Sequence, residues 1–184
     1  MRHLALSATA LAAAACVNTL SVGGQLRWRT HERLAGNGAW RLHLALITPG
    51  WLLFVGSLPA VRRDPCLRIR SRRTLGLTVI GAAAVLWLAA ARELGGARVL
   101  NADAFGQVAP RRVVSGPYRW RRNPIYDSYA LALLGCGLFT GRGGYLLLSL
   151  ESLIVLNLIE AGVEARSLSA KGGPAASFLG TRPQ

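Results

Sequence analysis

The chain has 184 residues, 52% of them hydrophobic, and its mean hydropathy is +0.33. This composition excludes an ordinary soluble domain of the same size and indicates an integral membrane protein. In a soluble chain, the formal net charge of +14 would favour a nucleic-acid partner. Here the arginines lie almost wholly between apolar blocks. We therefore interpret them as topology signals and contacts to anionic membrane lipids, and we expect no nucleic-acid partner.

Five apolar blocks follow one another, and each approaches the roughly 20 residues that a membrane-spanning helix needs. They cover approximately residues 4–22, 42–61, 75–91, 125–139 and 145–159. The last two are separated by a short glycine-rich connection, residues 140–144, which predicts a tight helical hairpin. The sequence therefore predicts an all-α, polytopic membrane bundle of about five transmembrane helices. Residues 1–94 form its N-terminal helices, and residues 95–184 form a long loop, the hairpin and a tail.

The distribution of arginine does not assign the two sides of this bundle consistently. Five spans place the third loop and the C-terminal tail on one side, and the six arginines of residues 62–73 on the other. Seven further arginines lie in residues 92–122, so we expect the third loop and the tail in the cytoplasm and the N-terminus outside. Residues 62–73 are then expected at an interface, unless an early block does not span. We expect a bacterial inner membrane. The preference for arginine over lysine is typical of a GC-rich coding sequence.

The three cysteines, Cys16, Cys66 and Cys136, are few and unclustered, so no metal site or disulfide is predicted. The alanine-rich run that ends at Cys16 resembles a secretory signal, even a lipoprotein one. The nearest leucine, however, lies five positions before the cysteine, and the apolar run continues beyond it. A retained first span is the interpretation that we adopt.

The most informative segment is Gly116–Tyr126, which concentrates arginines and aromatic residues between two apolar blocks. Asn123 is a favoured N-cap and Pro124 is tolerated at the first helical position, so the fourth helix is predicted to begin here. The positive end of its dipole then lies beside arginines 119, 121 and 122, which predicts an anion site. The alternative is an interfacial aromatic belt with basic anchors.

The far end of the hairpin supplies acidic partners. Asn157, Glu160 and Glu164 are spaced three and four apart, which places them on one face of the fifth helix and its extension. The hairpin should return this face to the arginine and tyrosine cluster. The alternative role for the two glutamates is salt bridging to loop arginines. Glu151 lies about 180° from Glu160 at 100° per residue, on another surface, where it either lines a cavity or is protonated.

These residues resemble a known superfamily, the isoprenylcysteine carboxyl methyltransferases and phospholipid methyltransferases. The resemblance covers about residues 94–176 and rests on G-P-Y at 116–118, R-N-P at 122–124 and the following tyrosine. It implies a membrane-embedded enzyme that uses S-adenosylmethionine to methylate a carboxylate, amine or thiol of a lipophilic acceptor. By position it implies that Arg122 and Glu164 are catalytic. The implied cofactor-binding residues are Gly116, Pro117, Tyr118, Arg122, Asn123, Pro124, Tyr126, Glu160 and Glu164.

Some positions depart from that pattern. Ala165 replaces the second glutamate of E-E-x-x-L, Ser128 stands where glycine is common, and the usual aromatic residues of the tail are altered. Two alternatives therefore stay open. One is a non-enzymatic or degenerate basic membrane protein that binds anionic lipid or a partner protein. The other is a nicotinamide-dependent membrane reductase, whose relatives carry R-N-P-N-Y-x-G-E, although this chain has Ile125 at the second asparagine.

Overall fold

The computed structural model describes residues 2–64, 68–108 and 113–160, and for residues 158–160 it describes the backbone alone. Within these ranges the chain is helical and forms no β-strand, so the predicted all-α fold is confirmed. The helices are α1 (Arg2–Trp28), α2 (Thr30–Ala35), α3 (Ala39–Val61), α4 (Arg73–Leu94), α5 (Gly96–Val99), α6 (Pro124–Thr140) and α7 (Gly144–Ser152). A π-helical segment, Leu153–Glu160, continues α7, and two 3-10 turns cover Gly36–Gly38 and Gly116–Arg119.

All five apolar blocks are helical, and three helical stretches of the described chain are long and apolar enough to cross a membrane. These stretches are Arg2–Trp28, Thr30–Val61 and Arg73–Leu94. The fourth block forms α6, whose 17 residues would extend about 25 Å at the α-helical rise. This length is at the lower limit for a spanning helix. The fifth block corresponds to a shorter apolar helix, Gly144–Asn157. A count of five spans therefore stays a prediction.

The long helices pack as antiparallel neighbours. In the α1 and α3 pair, the hydroxyls of Ser7 and Ser57 lie 2.7 Å apart near one end, and Ser21 Oγ lies 2.7 Å from His43 Nδ1 near the other. In the α6 and α7 pair, Ser149 Oγ donates a hydrogen bond of 2.7 Å to the carbonyl of Ala130. Gly141 ends α6 in the left-handed conformation, with φ of 70°. The predicted tight hairpin is therefore confirmed.

Helices α4 and α6 approach each other closely, and glycine makes this approach possible. A Cβ atom added to Gly76 would lie 2.5 Å from the backbone nitrogen of Phe139. A Cβ atom added to Gly135 would lie 2.9 Å from the backbone nitrogen of Ile80. Close packing of backbones over small residues is a common way to join membrane helices. These two glycines therefore fix how α6 lies against α4.

The connections between the helices lie at two opposite ends of the bundle. At the end that we call the turn end, the amide of Leu4 donates to Asp64 Oδ2 at 2.6 Å, and the amide of Ile69 donates to the carbonyl of Gly141 at 3.0 Å. The N-terminus of α1, the segment after α3 and the hairpin turn therefore lie together. The opposite end, which we call the loop end, holds the α1–α3 corner and the loop before α6. Because α1 and α3 are both long helices, the structure does not favour an early block that fails to span.

Candidate active site

The 3-10 turn Gly116–Arg119 lies on the C-terminal end of α4. Gly116 has a φ of 55°, in the left-handed region that favours glycine. A Cβ atom there would lie 2.8 Å from Cγ of Glu93, and Ser115 Oγ donates a hydrogen bond of 2.5 Å to Glu93 Oε2. Glu93 therefore holds the start of the predicted motif against α4. A single sequence carries no signal for this contact, and our sequence analysis missed Glu93.

Aromatic side chains lie at the same end. Tyr118 is partly buried, and this burial, with a smaller contribution from Tyr129, raises the pKa of its phenol to about 12. The hydroxyl of Tyr129 accepts a hydrogen bond of 3.4 Å from the indole nitrogen of Trp87. The ring of Trp51 lies 6.2 Å from that of Tyr129. Tyr118 therefore stays neutral at physiological pH and presents an uncharged ring and oxygen.

Helix α6 begins where the sequence predicts, although its cap differs. Asn123 occupies the N-cap position and Pro124 the first helical position, where it is buried. The Asn123 side chain makes no capping hydrogen bond; its backbone carbonyl instead accepts the amide of Asp127 at 3.1 Å. The predicted helix start at Asn123-Pro124 is therefore confirmed, with Asn123 as the N-cap by position only.

One arginine at this helix start, Arg121, forms a bidentate ion pair with Asp127. Arg121 donates from Nε to Asp127 Oδ2 at 2.7 Å and from Nη2 to Oδ1 at 3.0 Å, and this bonding raises the pKa of the guanidinium. The side-chain amide of Asn157 donates to the same Oδ1 at 3.4 Å. The prediction that the hairpin returns Asn157 to the arginine cluster is confirmed, and Asp127 is the residue that connects them. An acid in the first turn of a helix is a recognisable signal, which our sequence analysis passed over.

The other predicted site residues keep the status of predictions. Arg122 is exposed, and no carboxylate within the described ranges forms an ion pair with it. Tyr126 is partly buried in the first turn of α6. The side chain of Glu160 and all of Glu164 lie outside the described residues. The placement of Glu151 opposite Glu160 also stays a prediction, and the α-helical angle of 100° on which it rests does not apply to Leu153–Glu160, which is π-helical.

The long loop also covers a buried polar cluster in the N-terminal half of the chain. Ser21 Oγ lies 2.9 Å from His31 Nε2 and 2.7 Å from His43 Nδ1. The ring of Phe105 packs 4.5 Å from that of His43. The loop is fixed nearby, since Asn101 Nδ2 donates to the side-chain oxygen of Asn18 at 3.2 Å. Our sequence analysis found no motif in this half, because these residues meet only in three dimensions.

A comparison with known families favours one of these interpretations. The family model described as phospholipid methyltransferase matches residues 71–171. The chain belongs to the phospholipid methyltransferase family. The match covers more than half of the chain and begins at α4, earlier than the resemblance at 94–176 predicted, so Glu93 and its contact with the G-P-Y turn fall inside it. No curated protein and no solved structure matches the chain significantly. Family membership indicates a membrane methyltransferase.

Proposed function

We propose that the protein is an S-adenosylmethionine-dependent methyltransferase that acts on a lipophilic acceptor at the cytoplasmic face of a bacterial inner membrane. The third loop and the C-terminus would lie in the cytoplasm. The observation that carries the proposal is the start of α6, which lies inside the family match. There an exposed arginine stands beside a helix N-terminus, and the hairpin returns to it through Asp127 and Asn157.

The residues present fit the functional groups of this cofactor. Its carboxylate suits Arg122, which lies at the positive end of the α6 dipole. The faces of Tyr118 and Tyr126 suit a cationic sulfonium. We assign its ammonium and ribose hydroxyls to Glu160 and Glu164, which the resemblance names. When bound, S-adenosylmethionine supplies a methyl group activated by the sulfonium.

The protein's own contribution is alignment and exclusion of water. Methyl transfer is an in-line displacement, so the residues need to position a donor and an acceptor, and no nucleophilic side chain is required. Arg121, Asp127 and Asn157 hold the start of α6 against the end of the hairpin, and Glu93 holds the G-P-Y turn. These residues are positioning residues in our proposal. A carboxylate, an amine or a thiol at the membrane interface would each be a chemically suitable acceptor.

The proposal is tested by cofactor binding to the purified protein in detergent. Titration calorimetry with S-adenosylmethionine should show saturable binding that Arg122→Ala and Glu164→Gln abolish. Arg119→Ala is the matched control, because Arg119 is also an exposed loop arginine but does not match the family motif. Arg122→Lys should also bind poorly, since lysine keeps the charge but loses bidentate geometry.

The alternatives predict different titrations. Saturable binding of NADPH without S-adenosylmethionine binding would support a membrane reductase. Absence of both at millimolar concentration would indicate a non-enzymatic protein. Equal loss of binding in Arg119→Ala and Arg122→Ala would contradict a specific role for Arg122. The acceptor class follows from product analysis after membranes that contain the protein are incubated with methyl-labelled cofactor.

A further inference from the structure

A second concentration of positive charge lies at the turn end, opposite the candidate active site. A cavity of about 330 Å³ opens there between the segment after α3, the start of α4 and the hairpin turn. Its lining contains an arginine from each of these three parts, Arg62, Arg73 and Arg142, together with Ser71, Phe139 and Thr140. The volume lies within the usual range for small-ligand pockets.

The walls of this cavity are fixed by hydrogen bonds to the end of α6. The amide of Ile69 donates to the carbonyl of Gly141 at 3.0 Å, and the amide of Arg72 donates to the carbonyl of Leu138 at 2.9 Å. Ser71 Oγ donates to the carbonyl of Phe139, also at 2.9 Å. These bonds satisfy carbonyls that a helix C-terminus leaves without intrahelical partners. The segment that carries the arginines is therefore held in one place.

The charges in this cavity are not balanced by the described part of the chain. None of the lining residues is acidic, and no carboxylate among the described residues pairs with Arg62, Arg73 or Arg142. The neighbouring acid, Asp64, instead accepts a hydrogen bond from the amide of Leu4. Arg73 also begins α4, whose first turn contains no acid, so a cation stands at the positive end of the helix dipole. A bound anion would relieve the repulsion among the three arginines and the repulsion between Arg73 and the helix dipole.

We propose that this cavity binds a phosphate group, the head-group phosphate of an anionic phospholipid such as phosphatidylglycerol or a free phosphate ion. Guanidinium groups from several directions match the oxygens of a phosphate, and Ser71 adds a hydroxyl. The cavity lies at the ends of apolar helices that are long enough to span, which is the depth of lipid head groups. The proposal is independent of the methyltransferase activity, because the cavity lies at the other end of the bundle.

The test compares two double variants that remove the same charge. Arg73→Gln with Arg142→Gln changes the cavity, whereas Arg63→Gln with Arg70→Gln changes exposed arginines of the same end that do not line it. Arg62 is left unchanged, because it lies close to the hydroxyl of the buried Tyr145 and its loss could unfold the protein. The full-length protein is placed in nanodiscs of phosphatidylcholine with increasing phosphatidylglycerol, and bound lipid is counted by native mass spectrometry. A parallel calorimetric titration in detergent uses inorganic phosphate.

The cavity variant should weaken phosphatidylglycerol binding by roughly tenfold to thirtyfold, because it removes charge-assisted hydrogen bonds to the phosphate that arginines outside the cavity do not make. The control variant should retain it. Binding of inorganic phosphate with the same dependence would support the site and identify free phosphate as its ligand. Equal loss in both double variants would show that only overall charge matters, and would overturn the proposal. So would the absence of any loss in a cavity variant whose circular dichroism and melting temperature match those of the parent protein.

Discussion

The close approach of α4 and α6 gives the most direct quantitative prediction. Replacing Gly76 by alanine places a Cβ atom 2.5 Å from the nitrogen and 2.7 Å from the Cα of Phe139. These are backbone atoms of a neighbouring helix, so no side chain can rotate away and α6 itself has to move. Overpacking of this kind costs about 1–3 kcal/mol. We expect the free energy of unfolding of Gly76→Ala to be lower, by an amount in that range, than that of an alanine variant of the same helix without this clash.

A control on the same helix isolates this cost. A Cβ atom at Gly81 meets nothing within 4 Å. Alanine is a better helix former than glycine by roughly 1 kcal/mol, and this gain applies to both Gly76→Ala and Gly81→Ala. It therefore cancels in their comparison, and the difference between the two variants reports the clash alone.

The assay is thermal unfolding in detergent, followed by circular dichroism, with S-adenosylmethionine binding measured in parallel. Gly76→Ala should melt at a lower temperature than Gly81→Ala. It should also bind the cofactor more weakly, because α4 carries Glu93 beneath the G-P-Y turn. Equal melting temperatures for the two variants would refute the close helix contact from which the argument starts.

Three further predictions concern the loop end. Asp127→Ala should lower stability by about 2–3 kcal/mol, because it removes the charge-assisted hydrogen bonds from Arg121. A double-mutant cycle with Asn157→Ala should show coupling between the two residues, and additive effects would contradict the link at Asp127 Oδ1. Tyr118 is neutral in the folded protein until its pKa of about 12, whereas an unfolded tyrosine ionises near 10, so its contribution to stability is complete below pH 10 and is lost as the pH rises towards 12. Denaturation titrations should therefore show a steeper loss of stability above pH 10 for the parent protein than for Tyr118→Phe, and parallel curves would contradict the burial of this phenol. Phe105→Ala should uncover His43 and speed amide hydrogen exchange in residues 100–108, and unchanged exchange would show that the ring does not hold the loop.

The helices could be predicted from the sequence because their signals are local. Apolar blocks of nearly spanning length, Asn-Pro before α6 and the glycine-rich turn after it each act within a few residues. The boundaries of α6 and of the hairpin accordingly agree with prediction to within one residue, as Pro124–Thr140 and Gly144 show. The fifth block was predicted as one regular helix, and its π-helical continuation depends on packing that the sequence pattern does not reveal.

The candidate site was predictable only in part, because its contacts join distant residues. The sequence indicated a basic, aromatic segment and a hairpin that returns to it. It did not show which arginine would be bonded: Arg121 and Arg122 are adjacent and chemically alike, and only the position of Asp127 distinguishes them. The contact of Glu93 with the G-P-Y turn spans more than twenty residues. Such pairs become visible only once α4 and α6 are placed side by side.

The hairpin connects the two ends of the molecule and separates their roles. Its closed end, at Gly141, fixes the segment that carries the arginine cavity, and its open end brings Asn157 to Asp127 beside the candidate cofactor site. Arginines therefore concentrate at both ends of the bundle, which explains why counting charges did not assign its sides consistently. If one arginine cluster binds a cofactor and the other binds phosphate, neither is free to serve simply as a topology signal.

Cysteine accessibility should therefore assign the two sides of the membrane more reliably than charge does. In a cysteine-free background, Ser115→Cys and Arg70→Cys should react with a membrane-impermeant reagent added to opposite sides of the membrane. Reaction from the same side would contradict the alternation of the helices.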